Sequence, residues 1–132
     1  VRTAAQGITG LAAMPILSAC AAVAADSRFL IEMTEGNRFE PGGLTIPLGG
    51  TVVWQNVGVT RHTATCDPTL AGDQTDVALP AGAVPWDSGG LHTGQTWQHT
   101  FVAPGSYLYF CRYHEEAGML GTITVVADPG NG

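Results

Sequence analysis

Four side chains in this sequence have the types and spacing to hold one soft metal ion. Cys111 is followed by His114 after two intervening residues and by Met119 after four more. A second histidine, His62, stands 49 residues before the cysteine. A thiolate and two imidazoles in a trigonal set, with a weaker axial thioether, form the donor group of a blue-copper electron-transfer centre. Each donor type has a reason. The thiolate gives a soft, covalent bond to Cu(I), the imidazoles serve both oxidation states, and the thioether is a weak ligand that favours Cu(I). Held on a rigid scaffold, such a site changes little on reduction, so reorganisation stays small and no open coordination position is needed. Short polar side chains beside the ligand loops orient such ligands through hydrogen bonds, and Asn56 and Thr63 are the candidates here.

The scaffold that must position these groups reads as β from residue 26 onward. Strand-like runs cover residues 29–33, 44–46, 51–56, 63–66, 96–102, 106–111 and 122–126, with turn formers such as Glu35-Gly36-Asn37, Leu48-Gly49-Gly50 and Pro104-Gly105 between them. In the last run Ile123 and Val125 share one face while Thr122 and Thr124 share the other. Seven or eight strands in about 100 residues, with no segment of helical period, predict an all-β fold, a two-sheet antiparallel sandwich. Cys111 ends one strand and a new strand begins directly after Met119, so one tight loop presents thiolate, imidazole and thioether at one end of the sandwich. His62 ends another strand that can reach the same pole. Residues 67–94 form a long connection whose prolines and glycines allow one short helical turn at most. Its carboxylates, Asp67, Asp73, Asp76 and Asp87, lack calcium-loop spacing and read as a solvated acidic loop. His92 reads as an exposed loop residue. His99 shares parity with Trp97 and Phe101, which predicts a half-buried strand histidine.

With 132 residues the chain predicts one domain with a small core. Eleven acidic residues face five basic ones, all arginine, for a formal net charge of −6. Nucleic acid is thereby argued against as a partner, because binding it requires a basic face. Only 12% of residues are charged and 45% are hydrophobic, which excludes a wholly disordered chain. Three cysteines, Cys20, Cys66 and Cys111, rule out a fully paired disulfide framework. Cys66 reads as a free thiol on or near a strand, with pairing to Cys20 as the alternative.

Residues 1–25 differ in kind. After Arg2 the segment 8–25 carries no charge, is rich in alanine, and is interrupted by Gly10 and Pro15, which makes a poor bilayer-spanning helix. A positive residue before a short apolar run is the layout of a secretory signal. Leu17-Ser18-Ala19-Cys20 resembles the lipobox of bacterial lipoproteins, in which the cysteine is lipidated and becomes the new N-terminus. An ordinary cut after Ala22-Val23-Ala24 competes with it, and a plain buried apolar segment is the third reading. The expected division is a signal, lipoprotein-type or membrane-anchor segment over 1–25 and a folded domain over 26–132. The leading readings place that domain outside the cytoplasm, in the periplasm or on the outer face of the cytoplasmic membrane, and anchored through Cys20.

The run Tyr107-Leu108-Tyr109-Phe110-Cys111-Arg112-Tyr113-His114-Glu115-Glu116-Ala117-Gly118-Met119-Leu120-Gly121 resembles the copper loop of the plastocyanin-like cupredoxin family. The spacing C-x2-H-x4-M is that of plastocyanin, shorter than the azurin loop. Phe39-Glu40-Pro41, Leu44-Thr45-Ile46, Gly50-Thr51-Val52-Val53-Trp54 and Arg61-His62-Thr63 fall in the family's order, so the likeness covers residues 28–127. It implies an eight-stranded Greek-key sandwich, with one type 1 copper ion held by His62, Cys111, His114 and Met119. Three departures bear on the partner. Phe110 stands where plant plastocyanins carry a tyrosine linked to a lateral docking route, and Tyr113 replaces the usual proline before the loop histidine. Glu115 and Glu116 place carboxylates beside an exposed His114, which favours Cu(II), lowers the potential and suits a partner with a basic face.

Four functions compete on these residues. The first is a monomeric carrier moving one electron between a redox donor and acceptor, membrane complexes or cytochromes. An enzyme domain fits less well, because Phe110 and Arg112 rather than histidines flank the cysteine, and residues 112–116 lack the second cysteine of a binuclear centre. A copper-binding or transport module without redox duty relies on open sites rich in Met and His. A metal-free adhesion sandwich would leave the four-donor pattern without a cause.

Overall fold

The computed structural model describes residues 27–127. Cys20 and the anchor segment lie outside the described residues. Among the described residues nine strands form two packed sheets: β1 (Arg28–Met33), β2 (Phe39–Glu40), β3 (Gly43–Pro47), β4 (Thr51–Asn56), β5 (Thr65–Cys66), β6 (Trp86–Asp87), β7 (Thr96–Thr100), β8 (Gly105–Phe110) and β9 (Leu120–Val126). One sheet runs β2-β1-β4-β7 and the other β3-β9-β8-β5-β6. The all-β sandwich expected from the sequence is therefore the fold. Both sheets are mixed, because β1 pairs with β4 and β3 with β9 in parallel while the remaining pairs are antiparallel. Alternation along a strand reports which face is buried; strand direction is set by the crossovers, which alternation does not encode.

The core lies between the sheets. In β1, Ile31 and Met33 point inward and are fully buried, as are Val52 and Trp54 of β4. From the other layer come Tyr107 and Tyr109 of β8 with Ile123 and Val125 of β9. Trp54 Nε1 donates to Tyr109 OH at 3.1 Å, so a buried polar pair ties one sheet to the other. Burial drives the Tyr109 hydroxyl well above the ordinary tyrosine range and keeps it protonated. Trp86 and Trp97 extend the cluster, with ring centroids 5.3 and 5.6 Å from Trp54. His99 on β7 is half-buried and stacks on Trp86 at 5.1 Å, as its parity with Trp97 and Phe101 predicts.

The connection after β5 carries more structure than its composition predicts. Two 3₁₀ turns, Pro68–Leu70 and Gln74–Asp76, are each opened by an aspartate, Asp67 and Asp73, whose side chain accepts from the backbone N–H two residues on. Ala78 bridges to Leu108, and the two-residue strand β6 completes the second sheet. A strand of two residues has no period to read, so neither β2 nor β6 was legible in the sequence.

Candidate metal centre

The four donors converge at one pole of the sandwich because the chain crosses between sheets there. β4 ends at Asn56, residues 57–61 turn, and His62 is reached on the way to β5 in the other sheet. Asn56 holds that turn: its Nδ2 donates to Thr60 O and Leu91 O, both at 2.8 Å, and its Oδ1 accepts from Gly58 N at 2.9 Å. His62 itself pairs with Leu91 through two backbone hydrogen bonds, at 3.2 and 2.8 Å.

Cys111 follows β8 directly, and its loop is closed by its own backbone. Cys111 N–H donates to Met119 O at 3.1 Å, and Met119 N–H donates to His114 O at 3.2 Å. Between His114 and Met119 the chain makes one 3₁₀ turn, Glu115–Ala117, ended by Gly118 at φ 83°. That left-handed conformation favours glycine, so Gly118 sets the short spacing between imidazole and thioether.

The geometry fits a trigonal ion. His62 Nδ1 lies 3.8 Å and His114 Nδ1 3.6 Å from Cys111 Sγ, and the three donor atoms lie within 4.8 Å of one another. Three ligands bonded at about 2.1 Å in a plane stand about 3.6 Å apart. The tautomer fits as well. His62 Nε2 bonds to the carbonyl of Thr34 at 2.9 Å, and a carbonyl only accepts, so Nε2 carries the proton and Nδ1 is free to ligate. Burial, then the neighbouring His114, hold the His62 imidazole below its ordinary value of 6.5, against the raising effect of Thr34. A neutral imidazole is the form that binds metal. His62, Cys111 and Met119 are fully buried, whereas His114 is partly exposed.

Thr63 and Asn56 take the supporting roles expected of them. Thr63 N–H donates to Cys111 Sγ at 3.3 Å, and Thr63 Oγ1 accepts from Arg112 N–H at 2.8 Å. Thr63 and Thr65 hydroxyls pair at 2.8 Å, and Thr65 donates to Asp87 Oδ1 at 2.6 Å. The circuit closes where Arg112 Nη1 meets Asp87 Oδ2 at 3.2 Å. Asp87 is thus a structural acceptor beside the cysteine loop, a correction to its reading as part of a solvated loop. Glu115, which lines one groove with His114, has a second role that the sequence did not show. It accepts from Gly72 N–H and Asp73 N–H of the long connection, both at 2.9 Å. Although burial raises its pKa, these two donors and Asp76 bring the carboxyl below its ordinary value. Phe110 is fully buried and offers no lateral surface.

Comparison with known proteins agrees with this geometry. The family described as "Copper binding proteins, plastocyanin/azurin family" matches residues 29–126. The chain belongs to that family. Its cofactor is accordingly one type 1 copper ion. A plastocyanin from Scenedesmus fuscus is 36% identical over 87 residues, covering 66% of this chain and 85% of that one. A plastocyanin from Nostoc punctiforme is 38% identical over 90 residues, covering 66% of this chain and 63% of its own length. Among solved structures, a purple cupredoxin from Nitrosopumilus maritimus superposes with a TM-score of 0.57 at 28% identity, over 74% of this chain and 99% of that one. A copper-containing nitrite reductase from Thermus scotoductus does so with a TM-score of 0.60 at 31% identity, over 77% of this chain but only 23% of the reductase. This cupredoxin therefore resembles whole small copper proteins and one part of a larger enzyme.

Proposed function

We propose that this cupredoxin is a one-electron carrier whose copper is held by His62, Cys111, His114 and Met119. The observation that carries the reading is the trigonal trio of donors, two of them buried, with His114 alone reaching the surface. When bound, copper supplies the one-electron couple. The protein supplies the rest: a sulfur fixed by the Thr63 N–H, an imidazole fixed by Thr34 and a loop locked by its own backbone bonds keep the donors in place in both oxidation states. Rigid donors keep reorganisation small, which speeds electron transfer. His114 is the edge through which an electron enters and leaves.

A carrier is favoured over an enzyme because Phe110 and Arg112, not histidines, flank the cysteine. Its donor and acceptor are redox proteins, membrane complexes or cytochromes, met by a monomer outside the cytoplasm, with Cys20 as the lipid tether. Among the described residues no helix is long and apolar enough to cross a membrane. The tether is tested by mass spectrometry of membrane-extracted protein: a diacylglycerol-modified Cys20 at the N-terminus supports it, and an unmodified start at Ala25 refutes it. The copper reading is tested by adding Cu(II) and recording visible and EPR spectra. An intense thiolate-to-copper band with narrow hyperfine splitting is expected, and a Cys111→Ser variant should lose it. Metal binding without that band, or a band surviving the substitution, would sink the reading.

A further inference from the structure

We propose that Arg61 and Tyr113 form a clasp that positions the two imidazoles of the copper site, a role that rests on His62 and His114 being ligands. Each clasp residue stands immediately before one of those histidines, on segments 52 residues apart. Arg61 Nη2 donates to Tyr113 OH, and the guanidinium carbon lies 5.0 Å from the tyrosine ring centroid, within cation–π reach. His62 sits in an extended bridge with Leu91, where successive side chains point to opposite sides. The imidazole therefore faces the site while Arg61 lies on the outer surface.

A third segment forms the floor. A Cβ on Gly90, next to Leu91, would come within 2.7 Å of Tyr113 OH and 2.9 Å of Arg61 Nη2. Glycine at that position leaves the space the clasp occupies. The two imidazoles differ in what holds them. His62 is fixed through Nε2 to Thr34 O. The His114 ring meets Cys111 Sγ, and its segment is otherwise held by backbone bonds of the loop. Tying residue 113 to residue 61 supplies His114 with the lateral restraint that Thr34 supplies to His62. The two ligand loops then move as one body, and the trigon persists between loadings.

The test uses the copper-loaded protein and the variants Arg61→Gln, Tyr113→Phe, their combination, and Gly90→Ala, which displaces the clasp while leaving both partners in place. A surface cation–π contact with one hydrogen bond corresponds to about a three- to tenfold change in an equilibrium or rate constant. Stripping of copper from the reduced protein by a Cu(I) chelator should accelerate by about that factor in each variant, with an altered EPR hyperfine splitting in the oxidised form. The double variant should strip no faster than the faster single one, and Arg61→Lys should restore part of the retention. Thermal unfolding of the metal-free variants should stay at the wild-type midpoint. Unchanged stripping, additive effects in the double variant, or acceleration that tracks a lowered metal-free midpoint would each overturn the clasp. Absence of the blue band in the wild type would overturn the ligand reading and the clasp with it; a wild-type band with unchanged stripping overturns the clasp alone.

Discussion

At the scale of single residues, the site depends as much on acceptors and donors beside the ligands as on the ligands themselves. Thr63 shows this, because one buried hydroxyl accepts from Arg112 N–H and pairs with Thr65, while its N–H reaches the cysteine sulfur. Thr63→Val keeps the shape and the N–H but leaves the Arg112 N–H without its acceptor. The expected cost is about 1 kcal/mol in urea unfolding of the metal-free protein, the net worth of one part-buried hydrogen bond. A variant as stable as wild type would show that the circuit through Thr65 and Asp87 is ornamental to the cysteine loop. Cys66 illustrates the opposite case. Burial, then the nearby Asp67, push its thiol up to about 12, so it stays protonated and unreactive in its strand, whereas Cys111 stands within the cluster of candidate metal donors. The two described cysteines thus sit in different environments, and only the spacing around Cys111 pointed to a role.

Whole elements set where these residues meet, and here the sequence was legible in proportion to strand length. The strand β4 matches the run 51–56, and β1, β8 and β9 differ from their expected ranges by a residue or two at the ends, because five or more residues suffice to show alternation. β2 and β6 hold two residues each, too few to show a period, and stayed hidden, whereas the equally short β5 fell inside the longer run 63–66. The ligand loop was readable because its chemistry is local, whereas Asp87 acts across 22 residues to Thr65 and 25 to Arg112. β7 adds a consequence for pH. His99 stacks on Trp86 and Trp97, at 5.1 and 5.8 Å, and meets the edge of Phe101 at 4.8 Å. Burial holds its imidazole below the ordinary 6.5. The unfolded chain therefore binds this proton more readily than the folded one. The stability His99 contributes is complete above about pH 6.5 and is lost as pH falls through its lower folded value. Between pH 7.5 and 5 the thermal midpoint of the metal-free protein should fall, and His99→Phe should flatten part of that decline. An identical decline in the variant would assign it to other groups.

On the scale of the molecule, charge and shape combine at the copper pole. The chain carries a net charge of −6 and no lysine, and Asp73, Asp76, Glu115 and Glu116 outnumber Arg112 in a groove that His114 also lines. The same imidazole also borders the Arg61 and Tyr113 surface. Glu115 is held by backbone donors of the connection, and the groove stays acidic. Such a groove carries a long-range negative field. That field acts over the screening length, about 30 Å at 0.01 M salt and about 8 Å at 0.15 M. Electron transfer to a basic redox protein should accordingly be fast at low salt and slow by about tenfold or more across that range. The same measurement with an acidic partner should show the reverse trend, because repulsion is relieved as salt rises. Stopped-flow rates that ignore salt for both partners would show that contact at His114, not the acidic groove, selects the partner.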